Sequence, residues 1–130
     1  MEHILRTNKS DEMIDITDIL RKEVRDSGVE SGLLFVFIPH TTAGISINEN
    51  ADRDVKRDIL YKLDKLVPED EGYLHFEGNS HSHIKASLMG FSETILIEDS
   101  DLKLGTWQGV YFCEFDGPRT RKFYTKIIED

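Results

Sequence analysis

Gly32-Leu33-Leu34-Phe35-Val36-Phe37-Ile38-Pro39 decides how the rest of this chain is read. Six consecutive aliphatic or aromatic residues stand between a glycine and a proline, with no three-to-four-residue spacing of the kind an amphipathic helix needs. An uninterrupted apolar run of this length is expected of a strand covered on both faces, lying centrally in a sheet.

On its N-terminal side, Ile16, Ile19, Leu20 and Val24 recur with helical spacing, with Thr17 available as N-cap and Gly28 as a stop. On its C-terminal side, Val55, Ile59, Leu60, Leu63 and Leu66 form one apolar stripe, and Arg53, Asp54, Arg57, Asp58 and Lys62 occupy the remainder. Asn50 is the expected N-cap of that helix and Pro68 marks its exit. A third, shorter helix is predicted over residues 80–89, capped by Asn79 and stopped by Gly90. Residues 94–97, 107–115 and 122–128 are rich in β-branched and aromatic side chains and read as a closing β-meander, with Asp116-Gly117-Pro118-Arg119 as its last turn. These elements predict an α+β fold with an antiparallel-rich sheet or sandwich and two or three helices.

The chain has 130 residues, 38% hydrophobic and 32% charged, with seven Phe, four Tyr and one Trp. That composition lies outside the range of disordered chains, and the length fits one domain over residues 1–130, which needs neither disulfide nor metal merely to fold. Sixteen Lys and Arg against 25 Asp and Glu leave a formal charge of −9, which repels phosphate backbones, so nucleic acid is not an expected partner. No apolar run approaches the ~20 residues that cross a bilayer and no signal-peptide core is present, so a cytoplasmic protein without a membrane partner is expected. Cys113 is the only cysteine and lies among apolar and aromatic neighbours, which predicts a buried thiol.

Three constellations can carry chemistry. His40-Thr41-Thr42-Ala43-Gly44 follows the buried strand, and Asn48-Glu49-Asn50-Ala51-Asp52 stands at the mouth of the second helix, so few residues on that one sheet edge is expected to hold both. His40 can ligate a metal, and Glu49 or Asp52 can act as base, ligand or orienting group; the alternative is that Glu49, Asn50 and Asp52 only cap the helix and oppose its dipole. His75 and the block Gly78-Asn79-Ser80-His81-Ser82-His83 place three of the five histidines within nine residues. Such a cluster suggests a transition-metal site, zinc above all, or else a polar loop of capping and surface histidines. A helix here lets only one of His81 and His83 face a shared site, and His83 is preferred because Ser87 falls on its face. Lys85 lies close behind. Leu104-Gly105-Thr106-Trp107-Gln108-Gly109 offers exposed amides that can meet an anion, and Arg119, Arg121 and Lys85 can clamp a phosphate; alternatively the glycines mark bulges, Trp107 is core and the arginines pair with carboxylates. His3, near the start of the chain, is assigned no role.

These blocks, together with Glu114-Phe115-Asp116-Gly117-Pro118-Arg119, occur in order over nearly the whole chain and resemble the YjbQ-like family, whose members are described as secondary thiamine-phosphate synthases. The resemblance implies an α+β fold assembled as a homotrimer, with sheets packed around a threefold axis and sites near subunit boundaries. It implies His40, His75 and His83 as ligands of a divalent metal, zinc, with magnesium as the alternative for a pyrophosphate substrate. Asn48, Glu49, Asp52 and Asn79 would supply the base or orient the ligands, and Thr41, Thr42, Lys85, Ser87, Thr106, Trp107, Gln108, Arg119 and Arg121 would hold a phosphorylated small molecule. The implied activity, that of a transferase, joins a pyrimidine pyrophosphate to a thiazole phosphate. A metal-dependent hydrolase of a polar or phosphorylated substrate and a non-catalytic metabolite-binding module are the alternatives.

Overall fold

A computed structural model describes residues Met1–Asp130. The elements run β1 (Glu2–Arg6), β2 (Glu12–Asp15), α1 (Thr17–Ser27), β3 (Gly32–Phe37), β4 (Ala43–Glu49), α2 (Arg53–Leu66), α3 (Ser80–Met89), β5 (Ser92–Glu98), β6 (Asp101–Leu102), β7 (Gln108–Glu114) and β8 (Thr120–Glu129). They build two antiparallel sheets, one of five strands in the order β1-β8-β3-β5-β6 and one of three in the order β2-β7-β4. No helix is long and apolar enough to cross a membrane.

Alternation along the strands explains the layering. Leu34 and Val36 of β3, Ile95 and Ile97 of β5 and Phe123 of β8 turn inward to meet Ile45 of β4 and Val110 and Phe112 of β7, and Ile16, Leu20 and Val24 of the α1 segment join the same core. The opposite face of the small sheet sends Met13, Tyr111, Cys113 and Phe115 against Leu63 of α2 and Ala86 of α3, forming a second, smaller core. Cys113 is fully buried there, and burial pushes its thiol up to about 12, so it is a packing residue at neutral pH.

β3 lies centrally, between β8 and β5, as its sequence predicts. It is not covered on both faces: Phe35 is 37% and Phe37 41% exposed, and Leu96, Tyr124 and Ile128 stand beside them on the bare outer face of the large sheet. The closing segments do not form a meander either. β7 belongs to the small sheet, where it pairs with β2 and β4, whereas β5 and β8 flank β3 in the large one.

The three helices form where the sequence predicts, α3 over the expected residues and α1 and α2 with shifted starts. The α1 start is closed by Asp15, whose Oδ1 accepts from the Thr17 amide at 2.9 Å, while the Thr17 hydroxyl accepts from the Val110 amide at 2.8 Å. Asp52, not Asn50, caps α2 through Oδ1 and the Asp54 amide at 2.9 Å. Asn79 precedes α3 but makes no capping bond; its Nδ2 donates to Asp116 Oδ2 at 3.0 Å.

Candidate functional site

Pro39 to Thr42 carry the chain from the large sheet to the small one, and this crossing forms one wall of a cavity of about 520 Å³. The segment between α2 and α3 contributes His75, Glu77 and Asn79, the first turn of α3 contributes His83, and the β7–β8 turn contributes Asp116 and Arg119, with Arg121 following on β8. Apart from Pro39, every lining residue is polar or charged.

Two features fix these elements against one another. At Gly44 a Cβ would stand 2.7 Å from the Gly90 carbonyl oxygen and 3.1 Å from the Met89 Cβ, so only glycine lets β4 lie this close to the end of α3. Behind the cavity, Glu114 and Arg121 form an ion pair with 0% and 4% of their side chains exposed. Arg121 donates through Nε to Glu114 Oε2 at 2.8 Å and through Nη2 to Glu114 Oε1 at 2.5 Å and Thr42 Oγ1 at 2.8 Å. Glu114 also accepts from the Thr7 hydroxyl and from the amides of Phe115 and Asp116. Burial alone would raise the Glu114 carboxyl, but the Arg121 guanidinium and these donors hold it below the usual carboxylate range. The pair therefore ties Thr7, Thr42 and Asp116 to a single buried charge centre.

His40 is held differently. Its Nε2 lies 3.0 Å from the Lys122 carbonyl oxygen and 3.1 Å from the Lys122 amide nitrogen. The peptide groups of one residue thus serve either tautomer: Nε2–H donates to the carbonyl, or bare Nε2 accepts the amide proton. Partial burial and then the positive charge of Arg121 lower the His40 pKa, favouring the neutral ring. His75 and His83 meet edge to face with ring centroids 5.7 Å apart. Arg119 reaches Asp116 Oδ2 at 3.1 Å, and Arg121 Nη1 has no partner within the chain.

His40, Thr41, Thr42, His75, Asn79, His83, Arg119 and Arg121 are thus brought to one place. The remaining candidates are elsewhere. Asn48 and Glu49 end β4, six residues beyond Ala43 and so roughly 20 Å away along the strand. Asp52 is committed to its cap, and Gln108 pairs with Glu49 in register while its side chain accepts from the Gly105 amide at 2.8 Å. Thr106 and Trp107 are exposed at that same far end, where the Asn50 amide donates to the Trp107 carbonyl at 2.9 Å. The expectation that one edge holds both polar blocks fails because β4 separates them. Ser87 donates back to the His83 carbonyl from an exposed position. Lys85 points the other way, into a second polar cavity that His81 also lines, with Nζ on Asp64 and on Asp11 Oδ2 at 2.7 Å. Glu77, Asp116 and Glu114 join the site without having been singled out. The last two lie inside a quoted sequence block, where a carboxylate seven residues before Arg121 across a turn was the available signal.

The histidines do not make a metal centre. No three His, Cys, Asp or Glu side chains of the chain stand close enough together to hold an ion. His40 Nε2 is spent on Lys122. The donor set does not fit zinc or magnesium.

Residues 1–130 match the family described as UPF0047 protein YjbQ-like. The UPF0047 protein YugU of Bacillus subtilis is 51% identical over 125 residues, covering 95% of each chain. A UPF0047 protein of Methanocaldococcus jannaschii is 52% identical over 126 residues, 97% of this chain and 91% of that one. Among solved structures, a YjbQ/UPF0047-family protein of Clostridium acetobutylicum superposes with a TM-score of 0.96 at 62% identity, covering 98% and 99% of the two chains. A protein of Sulfolobus solfataricus described as of unknown function superposes at 0.94 with 30% identity, covering 100% and 96%. The expected thiamine-phosphate synthesis and metal-dependent chemistry are corrected by these findings: the family and its relatives carry no such activity in their descriptions, and the donor geometry for a metal is missing. Sequence match over the full length and superposition over nearly all of it agree that this chain belongs to the YjbQ-like UPF0047 family.

Proposed function

We propose that the cavity is a metal-independent acid–base site for a small, polar carboxylate. The observation that carries this reading is His40 between the carbonyl and amide of Lys122, with either tautomer satisfied. Nδ1 can then take a proton in one tautomer and give it in the other without losing the ring's anchor. The neutral ring favoured by burial and Arg121 is the form that accepts a proton. Arg121 Nη1 and Arg119 supply donors for an anion. Each arginine already faces its own carboxylate, so little net positive charge is left, and a monoanion suits the cavity better than a pyrophosphate.

Proton exchange tests this without knowledge of the natural reaction. In deuterated buffer containing a chelator, the protein should exchange C–H protons next to the carboxylate or carbonyl in a panel of small hydroxy and keto acids, followed by NMR. His40→Asn should abolish the exchange with the fold retained. An unaffected His40→Asn variant, or exchange that the chelator removes, would overturn the reading.

We also propose that copies of the chain pack through the bare face of the large sheet as a trimer in the cytoplasm. Phe35, Phe37, Leu96, Tyr124 and Ile128 support this, since a central strand with an unbroken apolar sequence and one bare face is short of a covering layer. Lys122 and Lys126 on the same face and Glu2 at its edge supply charges of both signs for the heterologous contact that a threefold ring requires. Light scattering should give three times the chain mass, falling to the monomer in Phe37→Lys; a wild-type monomer would exclude it.

A further inference from the structure

Leu74 and Phe76 are 99% and 93% exposed, the barest large apolar side chains of the chain. They project from the segment between α2 and α3 and bracket His75, which with Glu77 lines the histidine cavity. Apolar side chains given up to water so completely, on both sides of a site residue, mark a surface that another surface covers. The hydrogen bonds of the segment are all local. The Tyr73 hydroxyl donates to the Pro68 carbonyl at 2.7 Å and the Gly78 amide to the His75 carbonyl at 3.2 Å, and none from residues 73–78 reaches farther along the chain. Only the edge-to-face contact of the His75 ring with His83 leads from the segment into the cavity.

Charge identifies the covering surface. Residues 66–84 contain Glu69, Asp70, Glu71 and Glu77 and no Lys or Arg. The bare face of the large sheet has the opposite character. Arg6 and Lys126 stand on it without an ion pair, Lys122 has only a 3.5 Å contact with Glu2, and Glu98 is taken by Lys103. In a chain of net charge −9, an apolar face rimmed by cations and an acidic segment tipped by Leu74 and Phe76 are complementary. They are also two different surfaces, so joining them between copies is a head-to-tail contact of the kind that closes into a ring.

We propose that Leu74 and Phe76 of one copy pack on the patch around Phe35, Phe37 and Tyr124 of the next, so that each histidine cavity is complete only in the assembly. The contact rests on the trimeric reading above and specifies the second surface that the bare sheet face meets. It fixes His75 and Glu77, and with them one wall of the cavity, against a neighbouring copy. Dissociation frees that wall, which makes the order of the site depend on protein concentration.

Light scattering and hydrogen exchange on the full chain test this. Phe76→Lys alters an almost fully exposed position and should give a folded monomer, as Phe37→Lys should. Mixed at high concentration, the two variants should form a one-to-one dimer. The intact segment of the Phe37→Lys chain then meets the intact face of the Phe76→Lys chain, while the two introduced ammonium groups repel and keep the ring open. Amides of residues 73–78 should exchange about tenfold or more faster in the Phe37→Lys monomer than in the wild-type assembly, although Phe37 does not line the cavity. A wild-type monomer would overturn the trimer and this contact together. A wild-type trimer that Phe37→Lys dissociates and Phe76→Lys leaves intact would overturn the contact alone, as would a mixture that stays monomeric or equal exchange at residues 73–78 in trimer and monomer.

Discussion

The two ends of β4 carry equally polar sequence blocks and differ in what stands behind them. At the Ala43 end, Thr42 is held by Arg121 and His40 by Lys122, and Arg121 pairs with Glu114, which also binds Thr7 and Asp116. At the Glu49 end, Asn48 accepts from the Glu49 amide at 2.7 Å, Asp52 caps α2, and Gln108 closes its own turn. One end has charge held in place by long-range contacts and a cavity in front of it. At the other, the side chains of Asn48, Asp52 and Gln108 are satisfied by neighbours one to three residues away. Density of polar residues in a sequence block therefore says less about function than whether their partners come from far along the chain.

The largest effect should come from removing the buried carboxylate. Glu114→Gln leaves Arg121 buried without its counter-charge and should cost about 3–5 kcal/mol in urea denaturation. Because the folded-state pKa of Glu114 is depressed, its contribution is complete above the unfolded carboxylate pKa and is lost as pH falls through the folded value. The stability gap between wild type and variant should therefore be constant at neutral pH and close on acidification below the ordinary carboxylate range. A gap that persists in strong acid would mean that the carboxylate charge is not what holds this end together.

Lys85 gives a smaller effect and separates support from chemistry. Its side chain is 2% exposed, while Asp11 and Asp64 are 19% and 63% exposed and can return to water when the ammonium is gone. Lys85→Met keeps the packing volume and should cost about 1–2 kcal/mol, since lost charge-assisted bonds are offset by relief of a desolvated cation. Burial alone would lower the Lys85 pKa, but Asp11 and Asp64 raise it, so its contribution is present below the unfolded lysine pKa and is lost only as pH rises through the folded value. The cost should be flat across neutral pH, and proton exchange in the histidine cavity should survive. Loss of exchange in a folded Lys85→Met protein would make the two cavities one functional unit.

Local periodicity makes α1 and α2 legible, because each has an apolar stripe that its own residues define, whereas α3, which buries Ser82, Lys85 and Ala86 and exposes Leu88, is legible only from its flanking Asn79 and Gly90. β3 was legible from its uninterrupted apolar run, and the family from blocks that lie in order along the chain. β4 was not, since Ala43 and Gly44 are poor strand formers and only Ile45 and Ile47 mark an alternation. Missing that strand merged two sites into one. The assignment of β7 to the small sheet rests on pairing with β2 and β4, nearly a hundred and some sixty residues away respectively, which no local window reports. His40 and Arg121 lie in different motif blocks, and only the β3–β8 pairing brings them to one cavity.

The smallest effect probes the other end of β4. Asp52 accepts from the Asp54 amide at 2.9 Å at the start of α2, and nothing else in the chain depends on its carboxylate. Asp52→Ala should cost about 1 kcal/mol, the ordinary loss of an N-cap, and Asp52→Asn should restore most of it because an amide oxygen also caps. Both variants should leave proton exchange unchanged, since their position is roughly 20 Å along a strand from Ala43. A kinetic loss in Asp52→Ala that Asp52→Asn does not repair would require the carboxylate itself. It would also return the Glu49 end of β4 to the proposed site.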